Sequence, residues 1–117
     1  MRNRFLALLL LVVFGCKDNG VTSYGPDWLN KKIQQFESGP LEASPGRIYS
    51  YEYTGNLVYY ILSPCCDQFN FLYNDQGLII CAPDGGFTGA GDGKCVDFRT
   101  ERKNEKIVWQ DKRIYKQ

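Results

Sequence analysis

The chain has 117 residues, the length of one small domain, and at 44% hydrophobic and 23% charged it is globular rather than disordered. It contains no histidine, which excludes Ser-His-Asp and Cys-His catalysis, histidine-ligated zinc and histidine-based pH switching. The formal net charge is +1, and −1 once Arg2 and Arg4 are set aside with the leader described next, so no nucleic-acid partner is implied.

Met1 to Gly15 reads as an export signal. Arg2 and Arg4 form a short basic start, and Phe5 to Phe14 is an unbroken apolar run. Ten helical residues span about 15 Å, half of a ~30 Å hydrocarbon core, so the run is too short for a transmembrane anchor. It ends in Val13-Phe14-Gly15-Cys16, which looks like a bacterial lipobox: an aliphatic residue, a tolerated residue, a small residue, then the cysteine to be acylated. Phe14 is bulkier than the usual occupant, and the alternative is a general signal peptide cut near Gly15 with Cys16 a free thiol. A lipidated Cys16 would carry a diacylglyceryl group and an amide-linked chain of the palmitate type, and two or more acyl chains hold a protein stably at a bilayer. The organisation predicted is therefore residues 1–15 as lipoprotein signal peptide, 16–24 as lipid-anchored tether and 25–117 as one domain.

After the tether, Pro26 suits the first position of a helix, and Asp27 favours its positive end. Tyr24 and Leu29 stand at staple spacing, and Leu29, Ile33 and Phe36 form one apolar stripe; Gly39-Pro40 ends it. The period then changes to two. Ile48 to Tyr53 and Leu57 to Leu62 flank Gly55-Asn56, which predicts a hairpin with Tyr53 facing Val58 and Tyr51 facing Tyr60. One face would carry Tyr49, Tyr51, Tyr53, Val58, Tyr60 and Leu62; the mixed opposite face suggests that both are covered. A second hairpin, Phe69 to Tyr73 and Leu78 to Ala82, places Phe69, Phe71, Tyr73, Leu78, Ile80 and Ala82 on one face, with Asn70 and Cys81 on the other.

Residues 83–95 hold five glycines in thirteen positions and read as a loop. Asp97 to Asn104 suits a short helix with Asp97 as cap, and Lys106 to Gln110 a last strand. The fold class expected is α+β: one N-terminal helix on an antiparallel sheet of about five strands, built from two hairpins. The tyrosine stripe is most simply the sheet core, with an aromatic platform for sugar or peptide as the alternative. Residues 99–117 hold seven Lys/Arg against three acids, a solvated face or one turned to an acidic partner or lipid headgroups.

If Cys16 is acylated, four cysteines remain: Cys65, Cys66, Cys81 and Cys95. An even set in an exported small domain predicts two disulfides. A vicinal bridge closes a strained eight-membered ring, so Cys65 and Cys66 are expected to pair with Cys81 and Cys95, in either order. The competing four-thiolate zinc site fits poorly, because such sites bring their cysteines in close pairs, and here 0, 14 and 13 residues intervene.

The glycine loop is the segment shaped for more than packing. Asp84, Gly85, Gly86, Phe87, Asp92 and Gly93 form the candidate binding loop. Its plainest reading is a disulfide-pinned loop whose glycines supply positive φ and whose aspartates satisfy turn amides. The alternative is a calcium-stabilised domain with Asp84 and Asp92 as ligands, although the spacing matches no EF-hand. No other cofactor is implied. Asp67, Asp84, Asp92 and Asp97 are the carboxylates an enzyme would have to use, but so small a domain leaves little room for a deep pocket.

Four motifs, Cys65-Cys66-Asp67-Gln68-Phe69-Asn70, Cys81-Ala82-Pro83-Asp84-Gly85-Gly86, Gly91-Asp92-Gly93-Lys94-Cys95 and Arg102-Lys103-Asn104-Glu105-Lys106 with Trp109, resemble a family of small bacterial envelope lipoproteins classed as a domain of unknown function. The similarity runs over about Pro26 to Arg113. It implies export to the cell envelope, at the outer membrane of a Gram-negative cell, and brings no activity, ligand or catalytic residue. Together the residues and the resemblance predict no enzyme. They predict a tethered, non-catalytic interaction module, inhibitor-like in one form, held to the membrane by its N-terminal lipid and docking a protein or glycan.

Overall fold

The computed structural model describes residues 22–116, together with Val12, Val13, Gly15 and Gly20. One main helix, α1 (Asp27–Ser38), precedes a five-stranded antiparallel sheet: β1 (Arg47–Tyr53), β2 (Asn56–Ile61), β3 (Phe69–Tyr73), β4 (Ile79–Gly85) and β5 (Lys103–Gln110). A one-turn helix, α2 (Phe98–Glu101), comes before β5. The strand order is β4-β3-β2-β1-β5, so β4 and β5 are the two edges.

Helix α1 starts at Asp27, one residue after the predicted first position Pro26. Pro26 is its N-cap, and the Pro26 carbonyl accepts the first amides, from Leu29 and Asn30, at 3.0 and 3.1 Å. Asn30 Oδ1 accepts the Tyr24 amide at 2.8 Å, which fixes the approaching chain to the helix. Leu29 and Ile33 are buried against Ile48, Tyr59, Ile61 and Trp109, with Tyr24, Trp28 and Phe36 packed around them. The C-terminus of α1 has no basic residue of its own. Arg113, far along the chain, donates to the Phe36 and Gly39 carbonyls at 2.9 and 2.8 Å, supplying the positive charge that a helix C-terminus favours.

The opposite face of the sheet is a second core. Tyr51, Tyr53, Val58, Tyr60, Leu72 and Cys81 pack there, covered by Cys95 and by Phe98 of α2. Both faces are thus roofed, α1 on one side and the 95–98 segment on the other, which explains the mixed pattern of the first hairpin. The tyrosine stripe is core. The hydroxyls of Tyr51, Tyr53 and Tyr60 reach the rim and each donates to a carboxylate: Tyr51 to Glu105, Tyr53 to Asp97 and Tyr60 to Asp84. Burial and the Glu105 acceptor push the Tyr51 hydroxyl well up, and the Asp97 acceptor raises Tyr53 to about 12.

Four expectations need correction. The first hairpin turns on Thr54-Gly55, not Gly55-Asn56, so Tyr51 faces Val58 and Tyr53 faces Asn56. Both central residues have positive φ, 52° and 77°, as a type I′ turn requires. Thr54 is held there by its own hydroxyl, which donates to the Tyr53 carbonyl at 2.7 Å, and by Asn56 Nδ2, which donates to the Thr54 carbonyl at 3.3 Å. The shift moves the pairing by two residues and so leaves every side chain on its predicted face.

Second, β4 starts one residue later than predicted and runs into the glycine segment as far as Gly85, while irregularities in its pairing with β3 break the alternation. Leu78, Ile79 and Ile80 are exposed as a result, whereas Cys81 and Ala82 are buried. Third, α2 covers only Phe98–Glu101, and the Asp97 carboxylate does not cap it. That carboxylate takes the Tyr53 hydroxyl, and the Asp97 backbone carbonyl begins the turn by accepting the Thr100 and Glu101 amides. The chain then enters β5 at Lys103, three residues earlier than predicted, because an edge strand needs no alternating pattern on its solvent side.

Fourth, the disulfides are Cys65–Cys66 and Cys81–Cys95. Cys81 and Cys95 lie in the same buried layer, 6.2 Å apart at Cα, and bond each other there. Cys65 and Cys66 sit in the exposed connection between β2 and β3, away from that layer, so the vicinal bridge is the one within reach.

Candidate functional site

The glycine loop leaves β4 at the sheet edge and is fixed at several points. The Cys81–Cys95 bridge closes its base. The Gly85 amide donates to the Gly89 carbonyl at 3.2 Å, the Gly91 amide to Gly85 at 3.0 Å and the Asp92 amide to Ala82 at 2.9 Å. Gly91, at φ +75°, lies so close to the Ala82 carbonyl that a Cβ there would overlap it. Gly86 rests on the ring of Phe69; a Cβ would come within 2.5 Å of it. These contacts hold Phe87 at the tip with its side chain 92% exposed. A large aromatic residue in water on a pinned loop has no part in the core.

Phe69 links the loop to a groove on the α1 side of the sheet. The groove encloses about 440 Å³ and is lined by Phe36, Pro45, Leu62 and Pro64 together with Phe69, Phe71 and Tyr73 of β3. Asp67 and Gln68, next to the vicinal disulfide, supply polar groups at its end. The aromatic rings of β3 meet at 61° and 73°, edge to face rather than coplanar. Such an arrangement offers clefts for inserted side chains and no flat platform for a sugar ring.

Asp84 and Asp92, paired above as possible calcium ligands, have separate structural duties. Asp84 accepts Tyr60 Oη at 2.7 and 2.8 Å, Asn70 Nδ2 at 2.8 Å and Arg99 Nη2 at 3.0 Å. Burial works against its charge, but these donors outweigh it and hold the carboxyl below the ordinary carboxylate range. Its own burial, and then the same contact, push the Tyr60 hydroxyl strongly up. Asp92 Oδ1 accepts the Lys94 amide at 3.0 Å, a turn-closing role. Among the described residues, no three His, Cys, Asp or Glu side chains gather as a metal site would need.

Of the predicted binding loop, Gly85 belongs to β4, Gly86 and Phe87 form the exposed tip region, and Gly93 lies in the return turn. Asp67 stands at the groove, apart from Asp84 and Asp97. Cys16 lies outside the described residues. Sequence reasoning missed the groove because it depends on where α1 stops over the sheet. The one signal for it was the run of Phe69, Phe71 and Tyr73 at alternate positions.

No curated protein and no solved structure matches the chain. A protein family does match, over residues 34–111, from the second half of α1 through β5, and it takes in the groove, the loop and both disulfides. The chain belongs to that family, described as Domain of unknown function (DUF6970).

Proposed function

We propose that the chain is a non-catalytic binding module, anchored at the cell envelope by lipid on Cys16, that docks a protein partner through the glycine loop and the adjoining aromatic groove. The observation that carries the reading is Phe87: a large apolar side chain, 92% exposed, on a loop fixed by a disulfide and by backbone hydrogen bonds. Ordering a flexible loop is a main cost of association, and this loop is ordered in advance. Interface hot spots are concentrated in a few large side chains that fill desolvated pockets, and an exposed aromatic anchor on a fixed loop, inhibitor-like in one form, suits that role. The tilted rings beside Phe69 favour protein side chains over glycan. The leader sequence and the lipobox-like Val13-Phe14-Gly15-Cys16 support the anchor, and the absence of histidine supports the lack of catalysis.

The test is photo-crosslinking in the native envelope, with a benzophenone amino acid at position 87 or, as control, at Gln76 in the β3–β4 turn, at the opposite end of β4. A discrete adduct from position 87 and none from position 76 supports the proposal. Equal, diffuse labelling from both positions, or none from either, refutes it.

A further inference from the structure

We propose that the β5 edge and the C-terminal turn form a membrane-facing surface that rests on anionic phospholipid and turns the Phe87 loop away from the bilayer. The inference depends on the envelope-anchored reading above and adds an orientation to it. Two independent observations support it.

The first is where the tether meets the fold. Ser23 and Tyr24, seven and eight residues after Cys16, share a groove with Lys106, Ile107 and Val108, and Tyr24 shares a second one with Lys112 and Tyr115. Seven residues reach at most about 25 Å when fully extended, so a lipid on Cys16 confines this edge to within about that distance of the bilayer.

The second is charge. Lys106, Lys112 and Lys116 are exposed and make no ion pair among the described residues. Of the neighbouring acids, buried Asp111 is paired with Arg113, while Glu105 accepts the Tyr51 hydroxyl, Glu52 the Asn104 amide and Glu37 the Trp109 indole; none of them pairs with a lysine among the described residues. Between the lysines stand Ile107, Ile114 and Tyr115, each more than a third exposed, a mixture of cations and interfacial apolar groups that suits lipid headgroups. Arg47, stacked 3.9 Å from the Tyr115 ring, extends the positive surface. An acidic protein would satisfy the lysines equally well, but only a bilayer is already tied to this edge by the chain itself.

The strand order completes the geometry. Edge β5 is four strand spacings, about 19 Å, from edge β4, where the glycine loop begins. A domain resting on β5 presents the proposed docking loop at its far side.

Lysine footprinting tests this on the full acylated chain reconstituted into vesicles of pure phosphatidylcholine or of phosphatidylcholine with about 30% phosphatidylglycerol. Each lysine near an anionic surface favours that surface about fivefold. Acetylation of Lys106, Lys112 and Lys116 should fall at least threefold on the anionic vesicles relative to the neutral ones. Lys31 and Lys94 should not change, and 0.5 M salt should abolish the difference. The charge reversals Lys112→Glu and Lys116→Glu together should remove the protection of Lys106. Unchanged footprints on chain that floats with both vesicles would overturn the orientation while leaving the anchor intact. Protection of Lys94 instead, or protection of the β5 lysines on neutral vesicles once envelope extract is added, would also overturn it. Chain that floats with neither vesicle would overturn the anchored reading and this inference together.

Discussion

Asp84 is the carboxylate on which the loop side of the sheet turns, and its removal can be worked through. Its side chain is 16% exposed and accepts from Tyr60, Asn70 and Arg99. In Asp84→Ala the Tyr60 hydroxyl, on a residue 7% exposed, is left without its acceptor, at a cost of about 1–3 kcal/mol. Asn70 Nδ2 loses its partner but sits where water can reach, which adds about 1 kcal/mol. The ion pair with Arg99 adds little, because Arg99 is 70% exposed. The total is about 2–4 kcal/mol, or a fall in melting temperature of roughly 10–25 °C for a domain of this size. Urea unfolding of the oxidised protein reads it directly. Tyr60→Phe alone should cost about 1 kcal/mol, and the double-mutant cycle should show coupling of about 1–2 kcal/mol.

The pH arm follows from the direction of the shift. The folded carboxyl lies below its unfolded value, so its contribution is complete above about pH 5 and is lost as pH falls through the unfolded value near 4 and below. Asp84→Asn should flatten that part of the stability profile. A loss under about 0.5 kcal/mol in Asp84→Ala, or zero coupling to Tyr60, would refute the assignment. A melting temperature raised by millimolar calcium in the wild type and not in Asp84→Ala would point to the calcium reading instead.

The two disulfides should differ sharply. Cys81→Ser with Cys95→Ser opens a loop with a sequence separation of 14 and should cost about 3 kcal/mol, whereas Cys65→Ser with Cys66→Ser releases no loop and should move the urea midpoint hardly at all. Gly91→Ala forces a Cβ into the Ala82 carbonyl and should destabilise the fold by several kcal/mol or detach the loop; Gly89→Ala, which meets nothing, should cost about 1 kcal/mol in the same unfolding assay. Arg113→Met strips the α1 C-terminus of its cap and leaves buried Asp111 without its cation. Melting temperature should drop by about 5–10 °C, with weaker helical circular dichroism.

Local chemistry decided which features were legible in the sequence. Helix α1 carries its own start, stripe and stop, and the first strand of the first hairpin carries tyrosines at alternate positions, so a turn misplaced by one residue leaves the faces intact. Features set by distant partners were not legible. Nothing local marks Arg113 as the cap of a helix that ends 75 residues earlier, or Asp97 as the acceptor for Tyr53 rather than a helix cap. The cysteine pairing failed for a related reason: ring strain argues against a vicinal bridge, but burial of Cys81 beside Cys95 leaves Cys65 and Cys66 only each other. Edge strand β5 was read short because Lys103 to Lys106 shows no apolar alternation, while pairing with β1 needs only its backbone. Within the candidate site, the loop was legible from its glycines. The groove was not, since its walls come from α1, Pro45 and the β2–β3 connection.

Intact-mass analysis of the native product, joined to peptide mapping, reaches the central claim most directly. The account predicts a chain beginning at acylated Cys16, with Cys65 linked to Cys66, Cys81 linked to Cys95 and no thiol open to alkylation. A chain with unmodified Cys16 and four reactive thiols would contradict it.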